Sequence, residues 1–152
     1  MKTNVLYRHI LVPLDGSKLA EAALKQALPL TRSPGTRVTF IEAVWPIIDV
    51  LNTGTQVAAV ERIRKNEAQK YLDSVARRSE WKRLKTQAVV KVGPAADVIL
   101  DYARSKRADL IVMSTHGRSG LGRWAFGSIA DKVLHGATCP VLLVRASGKR
   151  KR

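Results

Sequence analysis

Gly117 and the pair Gly127-Ser128 stand nine residues apart in a stretch, Ser114 to Ser128, that also holds His116, Arg118, Gly120 and Arg123. These residue types in this spacing suit a phosphate. Glycine lets backbone N–H groups approach an anion closely, and the first turn of a following helix adds unsatisfied donors and the positive end of its dipole. Arg118 and Arg123 supply positive charge suited to a polyphosphate. Ser128 reads as a helix N-cap with Asp131 three residues on, in capping-box spacing, and its hydroxyl could equally serve a phosphate oxygen. The stretch joins an apolar run, Asp109 to Met113, to an amphipathic one, Ile129 to Leu134, and so reads as a strand-to-helix connection. An ordinary surface loop is the bland alternative, to be decided by what surrounds it.

Competing chemistries fit less well. A Walker loop needs a lysine before its serine, whereas Gly127 is followed directly by Ser128. Gly120-Leu-Gly122-Arg-Trp-Ala125 imitates a dinucleotide fingerprint, but it begins several residues beyond its strand and has no ribose-binding acid after it. No serine or cysteine lies in a recognisable nucleophile motif, and His9, His116 and His135 share no metal or triad spacing. His116 is expected to hydrogen-bond within its own loop. The single cysteine, Cys139, cannot form an internal disulfide and reads as packing. The expectation is a binding module, with slow nucleotide hydrolysis at most and no resident metal ligands.

The elements that must position these residues alternate between strand and helix, the pattern of a parallel sheet with crossover helices. Strands are expected at His9–Leu14, Thr36–Val44, Lys85–Val92, Asp109–Met113 and Pro140–Arg145. A helix capped by Ser17 should run past Leu30 and stop before Pro34-Gly35. After a loop from Trp45 to Gln56, a long helix should bury Val57, Val60, Ile63, Tyr71, Leu72 and Val75 on one face. Further helices are expected at Pro94–Ser105 and Ser128–His135, the last closing at Gly136.

Three separated segments resemble the universal stress protein family. His9-Ile-Leu-Val-Pro-Leu-Asp15-Gly-Ser17 is similar to its first strand and acidic turn, Gly117 with Gly127-Ser128 to its nucleotide motif, and Cys139-Pro-Val-Leu-Leu-Val144 to its last strand. Ser114 stands where that motif has its first glycine. The resemblance implies an open five-stranded parallel sheet of order 3-2-1-4-5 with helices on both faces, adenine nucleotide alpha hydrolase-like and Rossmann-like. Such sheets bind ligands where the strand order reverses, here between strands one and four. The implied nucleotide contacts are Pro13, Leu14, Asp15, Ala43, Met113, Ser114, His116, Gly117, Arg118, Gly120, Arg123, Gly127, Ser128 and Ile129. The implied ligand is ATP, with Mg2+, in a stress-response or regulatory protein; a family member that binds no nucleotide is the other possibility. The resemblance also implies a homodimer through Pro140 to Arg145, an apolar edge strand. Leu142→Pro is expected to weaken it by removing a ladder donor.

At 152 residues and 45% hydrophobic, the chain suits one domain, 1–146, followed by a basic tail, 147–152. No apolar run approaches the roughly 18 residues of a membrane span, and Arg8 and Asp15 bracket too short an apolar stretch for a signal peptide, so a cytoplasmic protein is expected. Twenty-seven lysines and arginines against 12 acids give a formal charge of +15, which favours polyanions. Arg62, Arg64, Lys65, Arg77, Arg78, Lys82, Arg83 and Lys85 crowd the long helix and the turn beyond, and Lys149 to Arg152 the tail. Nucleic acid or an anionic surface is therefore a rival ligand, although Trp81 alone could stack in that cluster.

Overall fold

The computed structural model describes residues 7–32, 35–47, 54–116 and 127–145. Its first strand, β1 (His9–Pro13), is buried along its whole length. Ile10 and Val12 face one apolar layer and Leu11 the other, as period-two alternation dictates for a strand covered on both sides. The same logic governs β2 (Arg37–Val44), β3 (Lys85–Val92), β4 (Leu110–Ser114) and β5 (Val141–Val144), which form one parallel sheet of order β3-β2-β1-β4-β5. All five strands lie within one residue of the expected bounds, β5 losing one residue at each end of Pro140–Arg145.

Helices α1 (Ala22–Ala27) and α2 (Gly54–Ala76) cover one face, where Leu24, Phe40, Leu72, Val75 and Trp81 pack together. Helices α3 (Ala95–Ser105) and α4 (Ser128–Gly136) cover the other, over Ile41, Ile99, Tyr102, Ile111, Met113 and Val133. Phe40 and Trp81 meet edge-to-face with ring centroids 5.1 Å apart. Cys139 is half-buried against the second layer, where burial pushes its thiol up in pKa and keeps it protonated.

Three expectations are corrected. Ser17 does cap a turn, its Oγ accepting from the Ala20 N–H at 3.1 Å, but regular α-helix is confined to α1. Pro29 has no N–H to continue it, so Leu28–Thr31 tightens into a 3-10 turn. The long helix starts at Gly54, inside the expected loop, and its first half overhangs the core: Val60 is 42% exposed and Ile63 53%, whereas Leu72 and Val75 are fully buried. At α4 the N-cap is Gly127 rather than Ser128, and Ser128 is the first helical residue. Among the described residues no helix is long and apolar enough to cross a membrane.

The base of the sheet is held by polar ties. Asp109 accepts from the Arg8 N–H at 2.8 Å and the His9 N–H at 3.1 Å. The buried His9 ring lies 3.1 Å from the Lys106 carbonyl through Nδ1 and 2.9 Å from Thr39 Oγ1 through Nε2. Burial holds its pKa below the usual imidazole value. Nearby, α3 ends on Arg107, whose φ of 51° is left-handed, and the Ala108 N–H closes the helix on the Ala103 carbonyl at 2.9 Å. Glycine is the residue favoured at that position. Arg107→Gly is therefore expected to stabilise the fold by about 0.5–1 kcal/mol, raising the thermal midpoint by about 2–3 °C in a scanning calorimeter. An unchanged or lower midpoint would show that the arginine side chain contributes more than its backbone costs.

Candidate functional site

In a sheet of this order the chain leaves β1 and β4 toward opposite sides, and a crevice opens between their carboxyl ends. A cleft of about 840 Å³ lies there. Pro13, Leu14, Asp15, Ala43, Met113, Ser114, His116, Gly127, Ser128 and Ile129 all line it, so ten of the anticipated contacts converge from four segments. Gly117, Arg118, Gly120 and Arg123 lie outside the described residues.

The phosphate-type end is built on one backbone contact. The Gly127 N–H donates to the Thr115 carbonyl at 2.9 Å, which seats the start of α4 against the end of β4. A Cβ on Gly127 would sit 3.0 Å from that same carbonyl oxygen, so close approach favours glycine here and any side chain would push on the end of β4; its φ of −59° is ordinary. The bond also uses the Gly127 donor. The first intrahelical bond runs from the Asp131 N–H to the Gly127 carbonyl at 3.0 Å, so the N–H groups of Ser128, Ile129 and Ala130 form the open first turn of a helix. Their donors and the helix dipole face the cleft that Ser128, Ile129 and Ala130 line.

Ser114, at 7% exposure, turns its hydroxyl back on its own loop, accepting a long 3.4 Å bond from the His116 N–H. Thr115 Oγ1 lies 3.0 Å from His116 Nδ1, the local hydrogen bond expected of this histidine. Assigning Thr115 as donor leaves the proton on Nε2, a buried atom with no partner among the described residues. Asp15 Oδ1 accepts from the Ser17 N–H at 2.9 Å, an Asx turn that fixes the loop after β1.

Sequence reasoning missed the outer wall. Trp45, directly after β2 and 61% exposed, stands at the rim, and Arg64, Glu67 and Tyr71 reach the cleft from α2. The Tyr71 hydroxyl donates to Glu21 Oε1 at 3.1 Å, and Arg78 grips the same carboxylate with two bonds of 2.9 and 3.0 Å. The Arg78 guanidinium holds Glu21 below the usual carboxylate range, while burial beside that carboxylate pushes the Tyr71 phenol far up, so it remains a donor. An exposed tryptophan following a strand was a usable signal. The α2 residues gave none, since spacing does not tell which helical turn overhangs a cleft. The charged lining comprises Asp15, Glu42 and Glu67 against Arg64, with no cluster of three metal-ligating side chains among the described residues.

Known proteins resemble this chain in sequence and fold. Universal stress protein MJ0531 of Methanocaldococcus jannaschii is 33% identical over 146 residues, covering 95% of this chain and 85% of its own. The solved structure of MJ0577, from the same organism, superposes with a TM-score of 0.79 at 26% identity, over 95% of this chain and 100% of that one. A universal stress protein crystallised in complex with cAMP has the same fold, with a TM-score of 0.61 at 19% identity over 93% and 99% of the two chains. The model of the universal stress protein family matches residues 6–145, and the chain belongs to that family.

Proposed function

We propose that this protein binds adenine nucleotide, ATP in preference to others, and acts through its bound state as a regulatory module of the stress response. The convergence of the β1 and β4 ends with the open first turn of α4 on one cleft carries this reading. Ile41, Ala43, Val44 and Met113 offer an apolar bed for a base, the N–H groups of Ser128 to Ala130 a seat for phosphate oxygens, and His116 Nε2 a further donor. The cleft volume falls within the ordinary range for small-molecule sites. The cAMP-bound relative supports an adenine nucleotide as the ligand class. Mg2+ fits as an ion carried in by the phosphates, since no preformed cage exists among the described residues. His116 is held by its own loop through Nδ1 and presents a protonated Nε2, a donor and not a base, so binding rather than hydrolysis is the proposed task.

Titration calorimetry of nucleotide-stripped protein tests this. ATP with Mg2+ is expected to bind with a micromolar Kd, about 8 kcal/mol at 1 μM, and more tightly than GTP. Trp45→Ala is expected to weaken binding about tenfold, because a stacked base is worth about 1–3 kcal/mol. No heat at millimolar ATP would overturn the proposal and favour a family member that binds no nucleotide.

A further inference from the structure

All strands of a parallel sheet begin at one end, and here that end, opposite the cleft, is basic. His9, Arg37 and Lys85 stand side by side in register at the starts of β1, β2 and β3. Arg8, Arg37, Arg83, Lys85, Lys106 and Arg107 are all exposed there, on four neighbouring strand entrances. The six cations outnumber the acids beside them: Asp109, whose carboxylate accepts two backbone N–H groups, and Glu80, exposed in the turn between α2 and β3. Position 107, where glycine would suit the backbone, holds one of these arginines.

We propose that this end of the sheet docks the sugar-phosphate backbone of a double-stranded nucleic acid, independently of the nucleotide cleft. Strands about 4.8 Å apart place β3 and β4 about 14 Å from one another, close to the roughly 12 Å width of a major groove, so the cations reach phosphates on both of its walls. Four of the six are arginines, whose planar fork matches phosphate oxygens. Single strands are disfavoured because Trp81, the aromatic within this cluster, is 1% exposed and cannot stack. A bilayer is disfavoured because the exposed large apolar side chains lie off the row β3-β2-β1-β4 that carries these cations: Trp45 and Ile129 line the cleft, Val60 and Ile63 belong to the first half of α2, and Leu134 and Leu142 to α4 and the edge strand β5.

Fluorescence anisotropy of full-length protein with mixed-sequence duplexes of roughly two helical turns, one DNA and one RNA, provides the test. Binding should fall steeply as salt rises, each phosphate-paired cation contributing about 0.9 to the log–log slope on DNA. The combined variant Arg83→Gln, Lys85→Gln, Arg107→Gly should lose at least tenfold in affinity and up to about 2.7 in slope, with ATP binding and circular dichroism unchanged. The DNA duplex should bind the more tightly, because the spacing of β3 and β4 matches the B-form groove, and tighter binding of the RNA duplex would overturn that match. Replacing Lys149, Arg150, Lys151 and Arg152 by alanine should leave most of the affinity. The proposal is overturned if neither duplex binds, if the tail variant loses binding while the triple variant keeps it, or if phosphatidylserine vesicles bind more tightly through the same three residues.

Discussion

Gly127→Val is expected to lower ATP affinity at least about a hundredfold, near 2.8 kcal/mol at 1.4 kcal/mol per tenfold, while the protein stays folded. The cause is contact, not a forbidden dihedral: the new Cβ alone would lie 3.0 Å from the Thr115 carbonyl oxygen, at a φ of −59° that any residue adopts. Relief requires the start of α4 to move off β4, lengthening the 2.9 Å bond from the Gly127 N–H and displacing the donors of Ser128 to Ala130. Because the first added carbon causes the clash, Gly127→Ala should already lose most of the affinity. Ser128→Ala, which keeps every backbone donor, should lose much less. Calorimetric titration of the three variants, with thermal midpoints to confirm folding, checks the order. A valine variant that binds like the parent would show that phosphate is not held at this helix start.

The second large effect concerns assembly, and we propose a homodimer formed by antiparallel pairing of two β5 strands across a two-fold axis. Among the described residues β5 pairs with β4 alone, and its other side presents an edge ladder. The Ile111 and Thr115 N–H groups donate to the carbonyls of Pro140 and Val144, which puts residues 140, 142 and 144 on the β4 side. By alternation, Val141 and Leu143 present the outward groups. A proline at Leu142 would thus cut the bond to β4 inside one subunit, contrary to the expectation from sequence. The better probe is Leu142→Lys, since this side chain is 38% exposed on the edge strand and the substitution sets two cations near the axis. Light scattering at micromolar concentration should give twice 16.8 kDa for the parent and the single mass for the variant. A monomeric parent would refute the arrangement.

Much of this molecule is legible in its sequence because burial on both faces writes strands as short apolar runs, as at Ile10 to Val12 and Ile111 to Met113. The strand order is not written that way; it came from the resemblance of three segments, and the sheet agrees with it. Helical periodicity misled at α2, where Val60 and Ile63 continue the stripe of Leu72 and Val75 beyond the core they would need to meet. At α1, the pattern of Leu and Ala hid the consequence of Pro29. The cleft's inner wall was readable because it lies at strand ends, which sequence locates well. Its outer wall, from Arg64 to Tyr71, depends on how far a helix overhangs, a tertiary quantity.

The bond from Gly127 to Thr115 joins two residues that are twelve apart in sequence and ties the start of α4 directly to the end of β4. Doubling the length of such a bypass adds only about 0.6 kcal/mol of closure entropy, a small charge against the stability of a domain this size. Insertions and replacements between His116 and Gly127 can therefore accumulate while the sheet and helix stay in register. Descendants of one ancestral chain could change which ligand they accept by rewriting one stretch, with their hydrophobic layers untouched.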